Sequence, residues 1–371
     1  MAEHEVLIRG DGSVGRALAL ALAAQGLKVA LLGEDHAPRR ADIRCFALNA
    51  ASVALLTELR VWDALPADAR CPVYDMQVRG DAPGASLDFS AWEQSARELA
   101  WIVDAAALEQ QLAGAVRFSP HIERVQQAVA APLEAICEGR GAAATAAREK
   151  HGVGFELYPY EQIGVAARLV ADVPHQGLAR QWFLAPEVLA LLPFSRPQVE
   201  QSYGLVWSVA PERASQLLDC GEAEFEEQLN AATQGAAGTL KLASARAAWP
   251  LALGRASAVS GAGFALLGDA AHLVHPLAGQ GLNLGLADVA ALARVLAERE
   301  PWRPLGDAKL LRRYARARLA GTLAMGELTD GLQRLFATEQ PGLRLLRNQG
   351  LSMLNHLTPL KRWLTARALG S

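Results

Sequence analysis

The sequence predicts an α/β protein: a domain built on a parallel βαβ unit, interleaved with a second, β-sheet-rich domain and followed by C-terminal helices. Three observations predict it. A strand, a glycine-rich turn, a helix and a second strand follow one another within residues 5–32. Short alternating apolar runs, such as 162–170 and 203–209, mark strands through the middle of the chain. A second strand–loop–helix passage begins at Phe264. At 371 residues the chain outgrows one small core, so two closely packed domains are expected.

Composition narrows the function classes. Apolar residues make up 51% and charged residues 20%, ordinary for a soluble globular protein, and no repeat of solenoid period is present. A net charge of −3 argues against nucleic acid, which needs a basic surface to neutralise phosphates. The start, Met-Ala-Glu-His-Glu, lacks the positive charge of a secretory signal. The most apolar stretch, 17–32, is broken by Gln25, Gly26 and Lys28 and falls short of a membrane span. Cys45, Cys71, Cys137 and Cys220 lie far apart with no CxxC pair, which reads as reduced thiols in a cytoplasmic protein and no metal site.

Residues 5–9 form the first strand and 14–25 an Ala- and Leu-rich helix, with Gly10-Asp11-Gly12-Ser13-Val14-Gly15 between them. This is G-x-G-x-x-G in a Rossmann-like setting. The first glycine permits the tight turn, the second lets a pyrophosphate approach the backbone, and the third lets helix and strand pack closely. The helix start then offers unpaired N–H groups and a positive dipole end. The strand at 28–32 completes the unit. The acid expected at its end, to accept ribose hydroxyls, falls at Gly33, so Glu34 is the candidate. Asp11 brings a carboxylate beside the phosphate site, which requires that it turn out or pair, with Arg9 the nearest partner in sequence.

From Phe264 the chain runs as a buried strand to Leu267, a Gly268-Asp269 turn, a rigid loop with His272, His275 and Pro276, then Gly279-Gln280-Gly281 and a helix. Gly-Gln-Gly lets a flat ring lie against backbone, and the helix N-terminus stabilises negative charge on that ring.

This passage resembles the second FAD motif of the class A flavin monooxygenases, the fold of para-hydroxybenzoate hydroxylase, and is most similar to their ubiquinone-biosynthesis hydroxylase family. The likeness spreads over most of the chain. Asp42-Ile43-Arg44-Cys45-Phe46-Ala47-Leu48-Asn49-Ala50-Ala51-Ser52 resembles the family's D-x-R-x-x-A-L-N-x-x-S. Leu59-Arg60-Val61-Trp62 resembles its L-G-x-W, with Arg60 in the glycine's place. Leu191-Leu192-Pro193 resembles its L-P strand, and Tyr314, Thr329-Asp330 and Arg347-Asn348 its terminal helices.

The resemblance implies FAD as cofactor. The pyrophosphate falls to Gly10, Gly12, Ser13, Val14 and Gly15, with Arg44 in contact and Gly268-Asp269 at the ribityl or phosphate portion. Pro276, Gly279, Gln280, Gly281, Leu282 and Asn283 lie around the isoalloxazine. Of these, Pro276, Gly279 and Gln280 border the reacting ring, and no side-chain base is assigned. The family's middle motif, Asp-Gly followed by Ser-x-x-Arg, is matched by Glu138-Gly139 and Thr145 to Arg148 with altered spacing. The longer carboxylate of Glu138 puts donor binding in question more than FAD binding.

The implied architecture is an FAD domain from 1–72, 98–150 and 255–320, a substrate domain from 73–97 and 151–254, and a helical region over 321–371. The implied chemistry is reduction of the flavin by NADH or NADPH, addition of O2 as a C4a-hydroperoxide, and transfer of one oxygen to an electron-rich ring in a dry site. The expected substrate is a lipophilic polyprenyl phenol or other ubiquinone precursor. Trp182, Phe183, Leu191, Leu192, Phe194, Tyr203 and Trp207 read either as lining of that site or as core of the sheet domain. Two other functions stay open: a flavin-binding, non-catalytic subunit of a quinone-biosynthesis complex, and a monooxygenase of an unrelated aromatic. Residues 351–368 read as a terminal helix packed on the body, or as an amphipathic face for peripheral contact at the inner face of a membrane.

Overall fold

The computed structural model describes residues 3–33, 42–81, 85–139, 141–274 and 280–319, the side chain of residue 280 excepted. Val6, Leu7 and Ile8 are apolar without alternation, the pattern of a strand covered on both faces, and none is more than 2% exposed. Their strand, Val6–Arg9, pairs in parallel with Val29–Leu32 on one side and Leu133–Ile136 on the other. The sheet runs on through Ile122–Val125 beyond the former, and through Phe264–Leu266 and Ser260–Gly261 beyond the latter. Only the last of these pairings is antiparallel. The chain leaves the central strand to one neighbour and returns at the other, so a crevice opens at the strands' carboxyl ends, where such sheets bind ligands. Helices Ser13–Ala23, Ala105–Arg117 and Gln280–Ala297 bring Leu18, Leu22, Leu108, Leu112, Leu292 and Leu296 into one core with this sheet.

The second sheet has nine strands. Its order is His272–Leu273, Ala247–Ala256, Phe155–Ala171, Ser202–Val209, Glu187–Phe194, Leu178–Leu184, Asp75–Arg79 and Ser86–Ser90, with Leu240–Leu242 also paired to Phe155–Ala171. Helices Pro211–Asp219 and Glu222–Thr233 supply Leu217 and Phe225 to the core it shares with Trp207, Tyr203 and Leu169. A small antiparallel sheet, Cys45–Leu48, Ala100–Asp104 and Arg70–Val73, sits between the two large ones. Its Ala47, Val73 and Ile102 pack on Leu192 and Phe194 of the nine-stranded sheet.

The α/β class with interleaved sheets is the one the sequence predicts, and the first helix and strands lie within one or two residues of expectation. Strand Phe155–Ala171 is longer than the alternating run at 162–170 suggests. Its first half pairs with Ala247–Ala256 across a register shift between Pro159 and Ile163, where Glu161 takes φ +53. That bulge interrupts the period-2 pattern on which strand reading depends. The aromatic and leucine side chains between 182 and 207 are core: Leu191, Phe194, Tyr203 and Trp207 are at most 1% exposed. Trp207 donates to Glu187 at 2.8 Å and meets the Phe225 ring edge-on. All four cysteines are free thiols.

Helix Ala50–Glu58 ends in a Schellman arrangement. Val61 N–H bonds Leu56 O and Arg60 N–H bonds Thr57 O, each at 2.9 Å. The residue in the left-handed position is Arg60, φ +59, where the resembled family has glycine. An L side chain there is strained. Replacing it, Arg60→Gly, should raise unfolding stability by about 1 kcal/mol, read as a shift in the denaturant midpoint at unchanged slope.

Candidate functional site

The carboxyl ends of the central strands converge without room for side chains. Gly10 has φ +100, and a Cβ there would lie 2.7 Å from Glu138 N; a Cβ on Gly15 would lie 1.9 Å from Gly10 O. Gly12, by contrast, faces open space, with nothing within 4 Å of a Cβ. It caps helix Ser13–Ala23 with extended backbone and no side-chain bond, so the first-turn N–H groups stay available to an anion. Ser13 is buried, and Val14 fills the slot between Gly268 and Gly285, within 3.3 Å and 2.5 Å of their Cβ positions. The glycine-rich turn is thereby docked directly on the second motif.

Asp11 is paired, but not with Arg9. It accepts from Arg16 Nε at 2.7 Å and from Arg124. Arg9 is occupied by Glu134, with Glu138 4.0 Å off. Burial alone would raise the Glu134 carboxyl, yet bonds from Lys150, Arg9 and His151 hold it at about 2. Arg9 is thus bound into the strand ladder on the far side of the turn.

Arg44 stands half exposed on the segment preceding strand Cys45–Leu48. Its guanidinium bonds Asp42 at 2.9 and 3.0 Å and lies 3.6 Å from Glu109. The Asp42 bond, with Glu109 and Asp269 contributing at longer range, raises its pKa further, so it stays cationic at any working pH. Asp42 and Ile43 are pinned from behind by Arg168, which bonds their carbonyls at 3.1 and 3.4 Å and Asp104 at 3.0 Å. Arg168 belongs to Phe155–Ala171, so the nine-stranded sheet positions the Arg44 segment.

Glu138 follows strand Leu133–Ile136 directly beside Gly10. Burial pushes its carboxyl up, and one of its oxygens has no hydrogen-bond partner among the described residues. Helix Ala142–Lys150 starts after Gly141, which has φ +122. On it Arg148 donates to Thr145 Oγ1 at 3.3 Å, covers the Phe155 ring at 4.2 Å and reaches Ala270 O at 3.5 Å. The residues matching Ser-x-x-Arg therefore touch the turn after Phe264–Leu266.

In that turn Gly268 has φ +60 and donates its N–H to Asp288 at 2.8 Å. Asp269 is half buried and within electrostatic reach of Arg44. Asp288 also bonds His272 Nε2 at 2.7 Å and Arg318. Burial would push this carboxyl up, but His272, Arg318 and the Gly268 N–H together hold it below the ordinary value. Tyr314 donates to Leu266 O at 2.7 Å, fixing the helical run 308–319 to the same strand.

The long helix starts at Gln280. A Cβ on Gly281 would meet nothing of the described residues within 4 Å. Leu282 packs against the first core. The Asn283 side chain faces inward: it donates to Ala47 O at 2.7 Å and accepts from Asn49 N–H at 3.0 Å and Ser52 Oγ at 2.7 Å. Its side chain is a clamp rather than a ring contact. Glu34, His275, Pro276 and Gly279 lie outside the described residues. Sequence reasoning missed the roles of Asp288, Gly285 and Arg168. The signal for Asp288 was a lone acid on the buried face of an Ala- and Leu-rich helix.

Asp288→Asn leaves the partly buried Arg318 without its charged partner and should cost about 3 kcal/mol of stability. Because the folded pKa is depressed, the carboxylate's contribution is complete at about pH 5 and above and is lost as pH falls below about 4. Urea unfolding of both proteins at a series of pH values should show their difference shrinking only on that acid limb.

A family model described as an FAD binding domain matches residues 106–327. The 3-demethoxyubiquinol 3-hydroxylase of Escherichia coli is 31% identical over 393 residues, covering 99% of this chain and 98% of that protein. The ubiquinone hydroxylase UbiL of Rhodospirillum rubrum is 30% identical over 392 residues, covering 99% and 90%. Among solved structures, p-nitrophenol 4-monooxygenase PnpA from Pseudomonas putida shares the fold, with a TM-score of 0.74 at 18% identity over 98% of this chain and 96% of that one. The open backbone at Gly12 and Gly281, with Arg44 and Asp269 between them in sequence, fits FAD as cofactor. The chain belongs to the FAD-binding domain family and, within it, to the ubiquinone-biosynthesis hydroxylases of the class A FAD-dependent monooxygenases.

Proposed function

We propose that this FAD-dependent monooxygenase hydroxylates an aromatic ring of a lipophilic ubiquinone precursor, a polyprenyl phenol or close relative, with NAD(P)H and O2 as co-substrates. The observation that carries the proposal is end-to-end likeness to relatives named a ubiquinone hydroxylase and a 3-demethoxyubiquinol 3-hydroxylase. In the proposed division of labour, 1–72, 98–150 and 255–320 hold FAD and 73–97 and 151–254 enclose the ring to be hydroxylated; the expected helical region 321–371 lies outside the described residues.

Bound FAD supplies the acceptance of hydride and the activation of O2. The chain's own work is positioning. Gly10, whose own N–H bonds Leu32 O, sets the turn; Gly12, Ser13 and Gly15 bring N–H donors to the pyrophosphate, with Val14 as their wedge, and Arg44 offsets its charge. Gly268 sets the turn from which Asp269 accepts ribityl hydroxyls, and Glu138 borders the same crevice. Pro276, Gly279, Gln280 and Gly281, with the backbone of Leu282 and Asn283, border the flavin ring, with the helix N-terminus stabilising negative charge there. No side chain is assigned as a base.

The substitution of Glu138 for aspartate, with its unpartnered buried oxygen, favours one rival: a flavin-binding subunit of a quinone-biosynthesis complex that does not turn over. No helix of the described residues is long and apolar enough to cross a membrane. Peripheral contact through 351–368 at the inner face of a membrane is part of the proposal.

The purified protein should show flavin absorption that NADH or NADPH bleaches without oxygen, and aerobic NAD(P)H oxidation should rise with a polyprenyl phenol and yield a hydroxylated product. Flavin that neither donor bleaches, with or without phenol, would favour the non-catalytic rival. Turnover without product from the whole ubiquinone series would count against the substrate.

A further inference from the structure

Two departures in the nucleotide-binding unit are complementary. In a G-x-G-x-x-G unit, the carboxylate that accepts the adenosine ribose hydroxyls stands at the end of the second strand. Here Val29–Leu32 ends at Gly33, which has no side chain to offer. The position between the first two glycines carries Asp11 instead. In space these two positions compete for one volume. A Cβ built on Gly33 would fall 2.2 Å from Asp11 Cβ and 3.1 Å from its Cγ. A carboxylate can therefore come from residue 11 or from residue 33, but not from both.

Asp11 is held in that volume from two sides. Arg16 Nε donates to Oδ1 at 2.7 Å and is itself anchored on Glu109 O at 3.0 Å. Arg124, from strand Ile122–Val125 beside Val29–Leu32, donates to Oδ2. Two guanidiniums against one carboxylate leave this rim net positive, which removes the repulsion a lone carboxylate would exert on phosphates. Each carboxylate oxygen has a second lone pair beyond its arginine bond, enough to accept from ribose hydroxyls.

We propose that Asp11 reads the adenosine ribose of FAD, taking the part usually played by an acid at the end of the second strand, with Arg16 and Arg124 as positioning residues. The assignment rests on FAD being the cofactor and deepens that reading. Its test measures binding rather than turnover. Flavin-free protein is titrated calorimetrically with FAD and with an FAD analogue whose adenosine lacks the 2′-hydroxyl. The wild-type protein should prefer FAD by about tenfold or more, the value of a hydrogen bond to a charged group. Asp11→Asn should shrink that preference, and Glu34→Gln should leave it.

A swap supplies a second measurement. Asp11→Gly should weaken FAD by removing the carboxylate, and Gly33→Glu should weaken it by collision with Asp11. The double variant should recover both affinity and preference for the hydroxyl. Equal wild-type affinity for the two ligands would overturn the proposal, as would loss of preference in Glu34→Gln but not in Asp11→Asn. The wild-type comparison needs no variant, so a misfolded mutant cannot hide the answer. Failure to bind either ligand would sink the FAD reading itself, whereas binding without discrimination sinks only Asp11.

Discussion

Asp288 is a carboxylate with 1% of its surface exposed, and so deep a charge is tolerated only when it is paired and fully hydrogen-bonded. Its partners come from three places: the Gly268 N–H of the turn, His272 four residues on, and Arg318 from the helical run at 308–319. Without that carboxylate, a left-handed glycine N–H, a histidine and an arginine would be left in a dry interior. With it, the turn bearing Asp269, the start of the long helix and the last described helix are fixed as one unit. The geometry expected to receive the flavin hangs on this node, although Asp288 itself is far too enclosed to meet a ligand.

The second constraint is steric. Val14 lies within 3.3 Å of a Gly268 Cβ position and 2.5 Å of a Gly285 one, and Gly15 presses on Gly10 O. The glycines at these points serve close packing as much as flexibility. The two motifs, some 250 residues apart in sequence, are one interlocked surface. At Gly10, Gly15, Gly268 and Gly285 the volume of the missing side chain is filled by the protein itself, whereas Gly12, Gly139 and Gly281 have nothing of the described residues within 4 Å of a Cβ.

What was legible in the sequence is what local backbone demands dictate. The strand–turn–helix at 5–25 and the passage from Phe264 declare themselves because a tight turn and a helix start need particular residues at fixed spacing. What was not legible depends on partners distant in the chain. Asn283 sits in the motif that suggests ring contact, yet its amide is taken up by Ala47, Asn49 and Ser52, more than 230 positions away. The partner of Asp11 looked like Arg9, its neighbour, and proved to be Arg16 and Arg124. The aromatics between 182 and 207 stayed open between cavity lining and core, because a strand buried by helices and a strand facing a ligand are equally apolar in sequence.

Arg168 joins the nine-stranded sheet to the Arg44 segment. It is rooted in the nine-stranded sheet, pairs with the buried Asp104 and holds the carbonyls of Asp42 and Ile43. Asp104 in turn caps helix Ala105–Arg117, whose Glu109 bonds Arg16 through its carbonyl and lies near Arg44 through its carboxylate. The bonds of Arg168 to Asp104 and to the Asp42 and Ile43 carbonyls, and the Asp104 cap, lie in a partly buried setting, where charge-assisted bonds are strong; the Arg44–Glu109 pair is exposed. Arg168 and Asp104 thus tie the nine-stranded sheet both to the Arg44 segment and to the helix whose Glu109 carbonyl anchors Arg16, while Asp288 ties the Gly268 turn to the long helix and Arg318.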